Sequence, residues 1–271
     1  MKEILSIDYK NVINSNKFKL MTLIIFIIPT IAFIMSCKFY YSLPINFVRS
    51  SLEENFIGGM VSRHIKMWFI LILPILSMMI CSDIYINQYN NGVYKSILTR
   101  TSKFNYIISK VIVVLTLTFL VIFFSLLFNQ ILFCIAFPLD GIDNARALPS
   151  FDIGYLNYSE SRFLDIIRLK NRLLYNIIYF TIFGLVSSLY ALVSLGISFF
   201  IKNAKISIIL TFAVFFGIYI IFMTLGIQDY HINYYLDGDS KGNIFFIIWV
   251  GILSLEACIL TYIKYKFSDE I

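Results

Sequence analysis

Charge is scarce in this sequence. Only 14% of its 271 residues are Asp, Glu, Lys or Arg, where a soluble domain carries about a quarter, so water is not the solvent for most of the chain. Cysteine is sparse and scattered: Cys37, Cys81, Cys134 and Cys258 have no C-x-x-C spacing, and the two histidines, His64 and His231, stand far apart. Neither a disulfide framework nor a metal site is indicated. Catalytic signatures are missing as well, with no G-x-x-x-x-G-K-[ST] to cradle phosphates, no H-E-x-x-H and no G-x-S-x-G. Catalysis by this chain alone is not expected. A net charge of +6 raises nucleic acid as a partner, but the cations lie in gaps between apolar runs and form no single basic face. No nucleic-acid partner is expected.

What the sequence has is apolar length. Crossing about 30 Å of hydrocarbon takes about 20 residues of helix. Counted from one charged residue to the next, uncharged windows of 18 residues (Lys19 to Lys38), 16 (Lys66 to Asp83), 29 (Lys110 to Asp140), 29 (Arg172 to Lys202) and 23 (Lys205 to Asp229) follow one another. A last window of 22, from Lys241 to Lys264, contains the single acid Glu256. The pattern predicts one all-α integral membrane domain over 1–271, with six spans at about 20–37, 67–86, 111–137, 173–201, 206–228 and 244–263. The first run has no small-residue cleavage site and reads as a retained helix.

With the N-terminus inside, the inner segments hold 12 Lys and Arg in 59 residues and the outer ones 10 in 75. The tight connection Lys202-Asn203-Ala204-Lys205 is the most informative piece for orientation, and both termini are expected in the cytoplasm. Before the first span, Leu5, Tyr9, Val12 and Ile13 share an arc of about 100°, with Glu3, Lys10 and Lys17 opposite. Residues 1–19 are therefore expected to form an amphipathic helix in the cytoplasmic interface, either as an anchor or as a mechanical part. The stretch from Arg162 to Arg172 alternates cations with Leu and Ile and reads as a second interfacial helix.

Polar residues within the spans are the candidates for function. Thr118, Ser125 and Asn129 lie within about 40° of one another and either line a substrate route or bond between helices. A carboxylate at a helix centre costs on the order of 3 kcal/mol on insertion scales, so Glu256 either lines a polar pathway or is held by a neighbouring helix. Gly184, Ser187, Ser188, Ala191, Ser194 and Ser198 form one small-residue face, and Gly251, Ser254 and Cys258 another; both read as helix packing. Phe212, Phe215, Phe216, Tyr219 and Phe222 make an aromatic face for lipid or for an interface, and Pro29 and Pro74 are expected to kink their helices.

The loop between spans two and three is the most informative segment. It leaves the membrane through Asp83 and a polar run ending at Asn91 and Gly92, continues with Lys95 to Arg100, and re-enters through Tyr106 to Lys110. In these residues the chain resembles the permease subunits of ABC-2 type transporters, which leave span two through a polar run ending in Gly. They follow it with a short "lysine, two apolars, Thr/Ser, basic" helix and re-enter with "Tyr, two apolars, x, Lys". The family often has a Glu before the polar run, and Gln88 stands at that place. The resemblance covers about 28 residues in detail, and loosely the whole six-span chain.

The resemblance implies a bacterial ABC exporter permease in the cell membrane, with a cytoplasmic coupling helix in the loop 88–104. Two permease copies, homodimer or heterodimer, would pair with two copies of a separate ABC ATPase that carries ATP and Mg, so this chain needs no cofactor. Gln88, Gly92, Val93, Ile97, Arg100, Lys103 and Phe104 are the expected ATPase contacts, with Val93, Ile97 and Phe104 on one helix face. Thr118, Ser125, Asn129 and Glu256 are the candidate pathway residues, and antimicrobial peptides or drugs the candidate substrates. A membrane scaffold or immunity protein that transports nothing is the alternative reading.

Overall fold

Six helices long and apolar enough to cross a membrane organise the chain, which makes it a multi-pass membrane protein by length and composition. The computed structural model describes residues 2–44, 47–81, 83–139, 163–201, 203–237 and 244–267, and every regular element among them is helical. In order these are α1 (Lys2–Asn14), α2 (Asn16–Tyr40), α3 (Arg63–Cys81), α4 (Ile84–Asn90), α5 (Val93–Leu98) and α6 (Lys103–Ala136). There follow α7 (Asp165–Lys170), α8 (Arg172–Ser198), α9 (Ala204–Thr224), a 3-10 turn (Gln228–Tyr230), α10 (Ile232–Asp237) and α11 (Ile244–Phe267).

Four of the long helices begin on a residue whose side chain takes up an orphan backbone N–H of the first turn. Ser15 accepts from the Phe18 amide at 3.2 Å and Ser102 from Asn105 at 3.4 Å. Asn171 accepts from Leu174 at 3.0 Å, and Asn203 from Lys205 at 3.0 Å. Lys202, the other half of the expected basic turn, lies outside the described residues.

The ends of α9 correct the sequence reading. The span predicted to reach residue 228 stops at Thr224, because Gly226 takes φ +69°. Its amide bonds to Met223 O while Ile227 N reaches Phe222 O at 3.0 Å, which is the paired closure of a glycine-terminated helix.

α8 is the hub, packed on α6, α3, α11 and α9. Its small-residue face is buried as expected: Ser187, Ser188, Ala191, Ser194 and Ser198 are all at most 1% exposed. A Cβ on Gly184 would sit 2.8 Å from the Phe119 ring, and one on Gly196 would sit 2.7 Å from Leu260 Cβ. These two glycines let α6 and α11 approach. On α11 the packed face is Leu253, Ala257 and Lys264. The expected stripe of Gly251, Ser254 and Cys258 is not that face, since Cys258 is exposed and a Cβ on Gly251 would meet nothing.

The expected interfacial helix at 162–172 is also turned over. Arg162 lies outside the described residues, and in α7 the charged pair faces inward: Asp165 and Arg168 are buried and joined at 2.6 Å, while Ile166 is exposed. Phe163 anchors the start of α7 against Tyr235 and Phe246. The aromatic face of α9 is an interface within the chain. Phe215 packs on Tyr190 with centroids 4.7 Å apart, and Tyr219 and Phe222 lead to His231.

Candidate functional site

Asp83 leaves α3 paired with Lys17 of α2 at 2.7 Å. Tyr85 of α4 is buried edge-on to Phe199 at 4.8 Å, with the Lys264 ammonium 5.2 Å over its ring. Gly92 then turns the chain at φ +69°, where a Cβ would meet nothing within 4 Å. The glycine is needed for its backbone angle and not for space.

Beyond it α5 is held by Tyr94, which is buried and stacked on Tyr89 at 4.8 Å. Val93 is 44% exposed, Gly92 and Arg100 are exposed, and Ile97 and Lys103 are half-buried. The expected single face of Val93, Ile97 and Phe104 does not form. α5 ends at Leu98 and Ser102 caps a new helix, so Phe104 belongs to α6 and meets Tyr265 edge-on at 5.8 Å.

Beneath this loop lies a cluster that the sequence reading missed. Asp8 of α1, fully buried, accepts from Gln88 Nε2 at 2.8 Å on one oxygen and from Ser109 Oγ at 2.9 Å on the other. The Lys110 ammonium, also fully buried, is bonded to the same carboxylate and lies 4.5 Å over the Tyr106 ring. Tyr106 in turn donates to Gln88 Oε1 at 3.0 Å. A buried ion pair persists only when its remaining lone pairs and protons are satisfied, and here α1, α4 and α6 each supply a member.

Gln88, expected at the ATPase contact, is therefore buried at 8% exposure and works internally. An amide suits the place because it donates to Asp8 and accepts from Tyr106; a second carboxylate would face Asp8 with like charge. Lys110 was read as the edge of a span, yet it lies inside α6. The signal that could have found Asp8 is its position about 40° from Val12 on the apolar arc of α1. Ile4, Asp8 and Val12 are the buried residues of that helix, while Ile13 is exposed.

The candidate pathway residues are distributed differently. Thr118 is fully buried beside Cys81, with Oγ1 to Sγ 3.4 Å, and Ser125 donates to Ile122 O of its own helix. Asn129 donates to Pro29 O at 2.7 Å and accepts from the Phe56 amide at 3.0 Å. These contacts favour helix and loop bonding, and a route along these side chains would need helices to part. Glu256 is exposed on α11 and has no hydrogen bond or ion pair among the described residues.

Asn129 also marks the far end of the bundle, where residues 47–62 are docked on polar side chains. Glu54, fully buried, accepts from Arg49 at 3.3 Å and from the Met60 and Val61 amides. Burial raises its carboxyl above the ordinary range despite the Arg49 guanidinium and the two amides, which pull the other way.

His231 sits nearby, ringed by Tyr219, Phe222 and Trp249 at centroid distances of 5.3 to 5.4 Å. Burial lowers its imidazole to about 4. Above pH about 6.5 it is neutral folded or unfolded and adds no pH dependence; below that the unfolded chain takes up a proton that the folded chain refuses until about pH 4. We expect a loss of about 3 kcal/mol between those limits. About 2 kcal/mol of that loss falls by pH 5, and His231→Phe should remove it, read as the difference in melting temperature between pH 7.5 and 5 for the two proteins in detergent.

The chain matches no protein family model, no curated protein and no solved structure.

Proposed function

We propose that this chain is the membrane subunit of an ATP-driven ABC-2 type exporter, working as a pair of copies with two copies of a separate ATPase in the bacterial cell membrane. The observation that carries the reading is the loop from Ile84 to Ser102. A short helix, α5, carries exposed Val93, with exposed Arg100 in the turn that follows it, and the Gln88 side chain of α4 beneath it is bonded to Asp8 of α1, which holds Lys110 of α6, and to Tyr106 of α6. Such a piece can pass a rigid-body push to α1 and to the long helix α6 at once, because a packed, fully bonded joint has few ways to yield.

In this reading both termini lie in the cytoplasm, α1 lies in the inner interface, and α5 is the coupling helix. ATP and Mg belong to the partner. The translocation route runs between the two permease copies, for a peptide or drug. The test is purification from mild detergent followed by mass spectrometry of everything that comes with the chain. An equimolar Walker-motif ATPase is expected; recovery of the chain without one would favour the scaffold or immunity reading.

A further inference from the structure

One face of α2 remains uncovered and is built as a groove. It runs as an open, shallow surface from Ile13 and Phe18 past Lys19, Thr22, Leu23 and Phe26 to Ile34. Its one charged side chain stands at one end, and of its two threonines the one midway, Thr30, spends its hydroxyl on Phe26 O at 2.7 Å. Lys19 is exposed and forms no ion pair among the described residues, whereas Lys17 is already committed to Asp83. Three residues on, the Thr22 hydroxyl is buried and has no hydrogen-bond partner among the described residues. From Leu23 to Ile34 the lining runs about 17 Å along the helix, close to the roughly 15 Å hydrocarbon depth of one leaflet.

We propose that this groove holds one anionic phospholipid, with its phosphate at Lys19 and an acyl chain along Leu23, Ile27, Ile31 and Ile34. A cation and an idle hydroxyl at the end of one leaflet's length of apolar wall match the order of parts in such a lipid. A second copy of the chain fits less well. Two copies related by an axis along the membrane normal would bring Lys19 against Lys19. The wall also presents Leu, Phe and Ile where helix pairs in lipid favour small residues.

The test uses the full chain, delipidated in detergent and titrated with dioleoylphosphatidylglycerol or dioleoylphosphatidylcholine under native mass spectrometry. We expect one phosphatidylglycerol to be retained with a preference of about fivefold, the effect of one interfacial cation. Lys19→Gln should abolish the preference and leave elution unchanged, because its side chain is exposed. Lys10→Gln, on exposed α1 surface outside the groove, should keep it. Equal retention of the two lipids, or an unchanged preference in Lys19→Gln, overturns the proposal. In vesicles, Ile27→Cys with Cys37 and Cys258 replaced by Ser should stay uncrosslinked; rapid self-crosslinking assigns the face to a second copy and overturns it as well.

Discussion

Asp8→Ala is expected to destabilise the protein by about 3–5 kcal/mol, the cost of leaving a buried charge without its partner. The residue left behind is Lys110, fully buried, with Gln88 Nε2 losing its acceptor in the same step, while Ser109 Oγ keeps Tyr106 O at 2.8 Å. The double variant Asp8→Leu with Lys110→Met should recover most of that loss, because removing both charges also removes both desolvation penalties. The measurement is the SDS concentration that unfolds each variant from mild detergent, combined in a double-mutant cycle. A coupling energy near zero would show that the two side chains act independently. The cycle also separates stability from transmission: in the proposed exporter the apolar double variant folds but no longer keys α1 to α6, so ATP turnover should continue with export reduced.

Replacing Ile97 and Arg100 together with Asp is expected to abolish export, with the chain still in the membrane. Arg100 is exposed, and its replacement alone should move stability by no more than about 0.5 kcal/mol; Ile97 is half-buried against the core, so the melting temperature of Ile97→Asp alone is measured beside export to separate lost stability from lost coupling. An ATPase that packs there would meet two new carboxylates in a desolvated interface, which costs several kcal/mol unless each finds a partner. Export of substrate from vesicles and ATP hydrolysis by the same vesicles are the readouts. Hydrolysis without export supports the coupling role, and unchanged export removes it.

The six long helices were legible because bilayer thickness acts on each span locally. What escaped was the use of charge. Lys66, Lys110 and Lys264 served as markers for the ends of apolar windows, but all three are buried and paired: Lys66 with Asp237 at 2.7 Å, Lys110 with Asp8, and Lys264 over Tyr85 and toward Phe199 O. Their partners are distant in sequence, by 171 residues for Lys66 and 102 for Lys110. No window of 20 residues contains both members of either pair. In α7 the pair is only three residues apart, yet the alternation of cations with Leu and Ile is silent about which face turns inward, because packing against α8 decides that. At caps and turns the reasons are local, as at Gly92 and Asn203, where they lie within a few bonds of the residue.

Within the candidate site, the loop 88–104 was found from its own residues, and Asp8 was not. An acid beside the apolar arc of a short helix, once buried, needs a buried cation elsewhere, and which cation answers it is a property of the fold. Gln88 shows the consequence: read as a surface contact, it is the hinge pin between Asp8 and Tyr106.

The account rests on an ATPase meeting α5, and site-directed cross-linking tests that most directly. Val93→Cys places a thiol at an exposed position of α5, and Met60→Cys places one at an exposed position at the opposite end of the bundle. With a short thiol-to-amine reagent in native membranes, the Val93→Cys protein should give an adduct that mass spectrometry identifies as a Walker-motif ATPase, and Met60→Cys should give none. A Val93→Cys protein that reacts fully with small thiol reagents yet joins no nucleotide-hydrolysing chain would contradict the account.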